Sequence, residues 1–293
     1  MTAGLINLGF TIKSALLLLA LTVVMLARIA GAQPLQATSI DYRPDLGTIS
    51  PALDIYGFPA ADKAPVIVYV HGGGWVTGDG SRVTDKPEHF ARNGYLFVSV
   101  NYRLVPKVDV ETQLEDIDAA LGWIATNIAD FGGDPDNITL LGHSAGAHLV
   151  SMAALAPLDN AQALIDTGAL RGVIANDVRA YDIAKLAALS GTGKLPGVYA
   201  LVFGDDPARW KRLSPETYIA TGRPPFLVLY SGMGNADMRR EISEGFAARL
   251  RAAGITATTF DGAAYTHGEM NKGIGTIPDL TAEIDAFLAQ VTP

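Results

Sequence analysis

The chain of 293 residues reads as an α/β fold: a doubly wound, mostly parallel eight-stranded sheet with helices on both faces. Three observations carry that reading. Short apolar runs recur along the chain and alternate with segments of helical periodicity, the order expected of strand–helix–strand crossovers. Most of these runs lack a polar alternate face, as strands buried on both sides do. Two glycine-rich pentads, His71-Gly72-Gly73-Gly74-Trp75 and Gly142-His143-Ser144-Ala145-Gly146, stand directly after such runs.

Taken in order, Ala37 to Asp41 and Leu53 to Tyr56 alternate enough to be short strands, and Pro65 to Val70 and Tyr95 to Val100 are buried-strand runs. Asp85–Asn93 is helical. So is Gln113–Phe131, where Leu114, Ile117, Leu121, Ile124 and Ile128 recur every three or four residues. Strands are expected at Ile138–Leu141, Gly172–Ala175, Phe226–Tyr230 and Thr256–Phe260. Between and after them, helices are expected at Ala147–Leu155, Tyr181–Ala188, Met238–Ala253 and Leu280–Gln290. The stretch 190–216, punctuated by Gly191, Gly193, Pro196, Pro207 and Pro215, reads as an irregular cap. No repeat or linker divides the chain, so 33–293 is expected as a single domain.

The first 32 residues contain no acid. Lys13, the apolar run from Ser14 to Ala27 and the small-residue site Ala30-Gly31-Ala32 describe a secretory signal peptide cut after Ala32. The run is shorter than the roughly 20 residues that a membrane span needs. The expected location is therefore secreted or periplasmic, with membrane contact only if this segment stays uncut. The formal charge of -8 and the lack of any basic cluster exclude a phosphate-backbone footprint, so nucleic acid is not an expected partner. The absence of cysteine removes disulfides, thiolate nucleophiles and thiolate metal sites. A monomer or homodimer is expected.

Gly-x-Ser-x-Gly between a strand and a helix holds a serine on a tight turn, with its hydroxyl exposed and helical N–H groups beneath it. Glycine at both flanks removes Cβ atoms that would collide there. This makes Ser144 the candidate nucleophile. The loop His71–Trp75 supplies backbone donors that approach a developing oxyanion closely, and Gly73, Gly74 and Ala145 are the candidate donors. A serine hydroxyl needs a base, and histidine titrates in the right range. Of the five histidines, His71 heads the glycine loop, His143 must point away from Ser144, His148 lies on the following helix as a core residue, and His89 sits on a polar helix. His267 alone falls after the last strand, as the order serine, acid, histidine requires.

The acid is sought between the strand 226–230 and His267. Asp237 is the first carboxylate of that loop and is the candidate, although it is also placed to cap the helix 238–253. Asn235 and Glu241 are its nearest rivals. Asp261 stands too close to the end of the last strand, and Glu269 too close to His267 in sequence. Trp75, Val76 and the 178–212 region are the candidate substrate pocket.

The pieces His71–Trp75, Asn101-Tyr102-Arg103-Leu104, Phe131-Gly132-Gly133-Asp134-Pro135, Gly142–Gly146, Ser214-Pro215 and Thr266-His267-Gly268 occur together, in this order, over about residue 50 to the C-terminus. In them the chain resembles the α/β-hydrolase superfamily, and within it the hormone-sensitive-lipase-like and BD-FAE-like esterases. The resemblance implies a carboxylic-ester hydrolase working through an acyl-serine, with no cofactor; the modest insertions favour small to medium acyl groups, and no metal is expected. The family often carries His-Gly-x-x-Asp after the seventh strand. Here Tyr230-Ser231-Gly232 stands instead, and an ungapped comparison sets Asn235 at the acid's position. An arylformamidase-like amide hydrolase on the same triad is the alternative, and a catalytically silent binding module is a third reading.

Overall fold

A computed structural model of the chain describes residues 35–49, 51–57, 63–232 and 234–293. The expected signal peptide lies outside the described residues. Eight strands form one sheet: β1 (Thr38–Asp41), β2 (Ala52–Tyr56), β3 (Ala64–Val70), β4 (Leu96–Val100), β5 (Gly133–His143), β6 (Leu170–Asn176), β7 (Phe226–Ser231) and β8 (Ala257–Gly262). Their order across the sheet is β1-β2-β4-β3-β5-β6-β7-β8. β2 runs antiparallel to both of its neighbours. The six strands β3 to β8 run parallel to one another, and the apolar cores of β3 to β7 fit burial on both faces.

Side chains of successive residues leave a strand on opposite faces, and β3 shows what each face meets. Val66, Val68 and Val70 join the core with α2 (Val110–Asn127), α3 (Ala145–Leu155) and Phe246 of α8 (Ala236–Ala252). Tyr69 turns to the other face and stacks on Phe97, which stacks on Phe90 of α1 (Lys86–Arg92). The C-terminal helix α10 (Pro278–Val291) lies against β6 and β8 and buries Leu280, Ile284, Phe287 and Leu288. Every residue of α3 is buried, which fits its almost wholly apolar sequence and its place against the sheet centre.

Four short helices fall outside the expected set: α4 (Asp159–Asp166), α6 (Val198–Phe203), α7 (Pro207–Arg212) and α9 (His267–Lys272), while α5 (Ile183–Leu189) was foreseen within two residues. At six to eight residues each, they span too few turns to print a clear apolar period. Local caps fix two of them. Asp206 accepts from the Ala208 and Arg209 N–H groups at the start of α7. Thr266 and Glu269 form a reciprocal capping box at the start of α9. Two of these helices therefore lie within the stretch 190–216 that reads as irregular in sequence.

Candidate active site

The elbow sits where β5 ends. Ser144 has φ 55 and ψ -121, a backbone state that costs a non-glycine residue on the order of 1–3 kcal/mol. Its flanks explain themselves: a Cβ on Gly146 would run into the carbonyl oxygen of Val70, at the end of neighbouring β3, and one on Gly142 into the backbone of Gly146. Only glycine lets the helix start pass so close to the next strand. The turn is held from the other side by Ser144 N–H, which donates to Asn176 O on β6 at 2.8 Å.

His267 opens α9 and brings its ring to Ser144, with Nε2 at 3.0 Å from Oγ. Its Nδ1 lies 2.6 Å from Oδ2 of Asp177. An ionised carboxylate only accepts, so Nδ1 carries the proton and Nε2 is free to accept from the serine hydroxyl. Asp177 itself is 1% exposed and is the residue directly after β6. Because His143 pairs with Asn176 in the β5–β6 register, the two residues that follow, Ser144 and Asp177, leave the sheet side by side. Both have positive φ. Burial pushes the Asp177 carboxyl up. The His267 hydrogen bond and the Arg239 guanidinium at 2.7 Å more than reverse this and hold it well below the usual carboxylate range. Ser231 N–H donates to the same oxygen as Arg239, at 3.1 Å.

Asp237, the acid expected from sequence, is not at the histidine. It lies in the first turn of α8 with a fully exposed side chain, 4.0 Å from Arg240. Nor does it cap that helix, because the N-cap is Asn235 in a left-handed conformation. Asn235, at the ungapped position, therefore shapes the helix start. The other rivals are engaged elsewhere: Glu241 with Lys185 at 3.2 Å, Asp261 with Arg240 at 3.3 Å, and Glu269 in its own capping box. The acid follows β6, one strand earlier than the segment after β7 that holds Asp237. A signal for Asp177 was present: it is the carboxylate at the carboxyl end of the run 172–175, and that end of a parallel sheet is where such folds bind ligands.

Three residues from three neighbouring strands peg α9 in place. His143 on β5 donates from Nε2 to the carbonyl of His267 at 3.0 Å, and the two rings lie 4.5 Å apart. Asn176 on β6 donates to Met270 O at 2.7 Å, and the Tyr69 hydroxyl on β3 donates to Asn271 Oδ1 at 3.0 Å. Burial, followed by the His267 charge, pushes the His143 pKa down to about 3, so its ring stays neutral and keeps one tautomer. As expected, its ring does not serve Ser144.

The glycine loop follows β3. Gly73, with φ 130, turns its carbonyl back to accept from the Val76 and Thr77 N–H groups, and a Cβ there would strike Thr77 O. Among the described residues, the N–H groups of Gly73, Gly74 and Ala145 donate to no acceptor. His71 shapes the loop as expected: its Nδ1 donates to Gly72 O at 2.8 Å and its ring stacks on Tyr102 at 4.4 Å. His148 is the core residue expected. Its Nε2 donates to Leu213 O at 2.7 Å, and its Nδ1 accepts from Trp75 Nε1 at 3.3 Å.

Trp75 was expected in the substrate pocket, and the structure buries it instead, 1% exposed, against His148, Tyr199 and Phe203. A large indole packed against an almost wholly apolar, fully buried helix is worth more as core than as lining. Val76 lines a cavity of about 790 Å³ along residues 101–108, which shares Asp79 with the cavity at Ser144 but does not include the serine among its walls. The cavity that holds Ser144 and His267 measures about 350 Å³, and glycines 72–74, Thr77, Asp79 and Asn271 are among its walls. Among the described residues there is no cluster of three or more metal-ligating side chains.

A doubly wound sheet in this strand order, with a serine elbow after its fifth strand and a histidine after its eighth, defines an α/β-hydrolase. The chain belongs to the BD-FAE family, whose model matches residues 53–249. It is similar to Esterase LipQ of Mycobacterium tuberculosis (33% identical over 239 residues, 77% of this chain and 55% of LipQ). It is also similar to the Probable carboxylic ester hydrolase LipM of the same organism (30% over 253 residues, 82% and 58%). The chain thus spans about half the length of the curated relatives it matches. Among solved structures it resembles the butyrate-bound esterase Est2 of Thermogutta terrifontis, with TM-score 0.68 and 25% identity over 87% of this chain and 94% of that one.

Proposed function

We propose that this protein is a serine carboxylic-ester hydrolase, with Ser144 as nucleophile, His267 as base and Asp177 as the acid that orients it. The observation that carries the reading is the unbroken relay from Asp177 Oδ2 through the His267 ring to Ser144 Oγ, at 2.6 and 3.0 Å. The names of the relatives, an esterase and a carboxylic ester hydrolase, support the bond that is cut.

In this mechanism His267 Nε2 takes the Ser144 proton as Oγ attacks the acyl carbon. The carbonyl oxygen becomes an oxyanion, received by the idle N–H groups of Gly73, Gly74 and Ala145. Collapse of the intermediate expels the alcohol, protonated by His267, and leaves an acyl-serine. Water, deprotonated by the same ring, then adds to the acyl carbon, and the acid departs as Ser144 regains its proton. Asp177 remains ionised throughout and stabilises the imidazolium.

A cavity of about 350 Å³ at the serine supports small to medium acyl groups. Est2 has been solved with butyrate and with propionate bound, acyl groups of that size. We extend the proposal to export, with residues 1–32 as a cleaved signal, on the strength of Lys13, the apolar run and Ala30-Gly31-Ala32.

The test is hydrolysis of p-nitrophenyl acetate, butyrate and octanoate, with mass spectrometry of Ser144 after reaction with an organophosphate. Turnover that falls along the series, abolished in Ser144→Ala, with a single adduct on Ser144, is expected. No turnover of any ester and no adduct overturns the proposal.

A further inference from the structure

Among the described residues, the guanidinium of Arg179 binds no oxygen. Arg179 follows Asp177 by two residues and is half-buried. Among the described residues its buried Nε has no hydrogen-bond partner, and Nη1 meets the Met238 sulfur at 3.7 Å. The guanidinium lies 5.3 Å from the centre of the Tyr199 ring. Among the described residues no carboxylate pairs with it. Carboxylates near it in sequence or on the helix of Met238 are engaged elsewhere: Asp177 with Arg239, Asp182 with the Lys185 N–H, Asp237 with Arg240 and Glu241 with Lys185. Arginine stays charged under all ordinary conditions, and its planar fork matches a carboxylate. Buried donors of this kind are normally satisfied, and one that is not calls for an explanation.

The neighbours of Arg179 connect it with the oxyanion loop and with the acid of the triad. Tyr199 packs edge-on against Trp75, the residue that ends the glycine loop. Val198, one residue earlier, abuts the loop itself, where its Cγ2 would stand 3.1 Å from a Cβ on Gly74. On the other side, Met238 precedes Arg239, which holds Asp177. Arg179 thus adjoins, through Tyr199, a segment packed on the oxyanion loop and, through Met238, the helix whose Arg239 holds the acid of the triad. A role in steadying Asp177 is already filled, since that carboxylate accepts from Arg239, Ser231 and His267.

We propose that Arg179 is a substrate-recognition residue that receives an oxyanion of the substrate, and hence that the preferred esters carry a carboxylate. The proposal rests on ester hydrolysis at Ser144 and deepens it. The carboxylate can belong to the acyl part or to the leaving alcohol, so two matched pairs are needed. Methyl hydrogen adipate against methyl hexanoate probes the acyl side, and 4-acetoxybenzoate against 4-acetoxytoluene the leaving side.

With the full chain, the charged member of at least one pair is expected to have the higher kcat/KM, by roughly 10-fold or more, the worth of a charge-assisted hydrogen bond. Arg179→Met, which keeps bulk and removes charge, is expected to erase that preference through KM while leaving the neutral ester within about 2-fold, and Arg179→Lys to retain part of it. Absence of a carboxylate preference in both pairs overturns the proposal. So does an equal fall of charged and neutral esters in Arg179→Met, the mark of a structural role or of action through Asp177. If the wild type cleaves none of the four esters, the hydrolase reading fails separately. Calorimetric binding of adipate then decides: loss of binding in Arg179→Met supports the anion site, and no binding, or equal binding by both proteins, overturns it.

Discussion

Arg239 and Asp177 form an ion pair at 2.7 Å, on the carboxylate oxygen that His267 does not use, with side chains only 13% and 1% exposed. The pair fixes the carboxylate from behind while the histidine binds its front. Removing the cation leaves a buried charge with less compensation. Arg239→Met is therefore expected to destabilise the fold by about 3 kcal/mol, the low end for breaking a buried pair, because His267 and Ser231 remain bonded to Asp177. Thermal unfolding checks the stability, and kcat is expected to fall by about 10-fold, with Arg239→Lys recovering part of it.

The histidine pegs lead to a second expectation. His143 holds the backbone of His267 rather than its ring, so its loss misplaces the base without removing it. His143→Leu is expected to lower kcat by about 10- to 100-fold through misplacement alone, with KM little changed. Asn176→Ala, which frees Met270 O on the same helix, is expected to act in the same direction. Steady-state kinetics on both variants measures this, and a change confined to KM contradicts it.

Acid sensitivity has a definite sign. Burial pushes the folded-state pKa of His143 down to about 3 and that of His148 down to about 4, below the ordinary 6.5. Between those values the unfolded chain binds protons that the folded chain refuses, so stability rises with pH across this window and is lost as pH falls from about 6.5 toward 4. Asp177, held low, adds stability that is present above the ordinary carboxylate range and is lost only when pH falls below it. The melting temperature is expected to drop between pH 6.5 and 4.5. His148→Gln keeps a donor for Leu213 O without the titration and is expected to flatten that drop. An unchanged slope contradicts the assignment.

Much of this was legible in the chain because strand and elbow signals are local. The runs at 65–70, 95–100 and 226–230 became strands with ends moved by a residue or so, and Ser144 and His267 stand where motif and order place them. The acid was not legible, because it depends on which strand neighbours which. Asp177 follows a seven-residue strand with no motif around it, and only the pairing of His143 with Asn176 sets it beside Ser144. Trp75 misleads for a related reason: an aromatic after a glycine loop resembles pocket lining until Tyr199 and Phe203, more than 120 residues away in sequence, pack over it.

The central claim is that Asp177 completes the triad and Asp237 does not. Measuring kcat/KM on p-nitrophenyl butyrate for Asp177→Asn and Asp237→Asn, beside the wild type, tests it most directly. The structure predicts a loss of about 10³- to 10⁴-fold for Asp177→Asn, as when a triad histidine loses its orienting carboxylate, and a change within about 2-fold for Asp237→Asn. A near-normal rate in Asp177→Asn, or a large loss in Asp237→Asn, would contradict it.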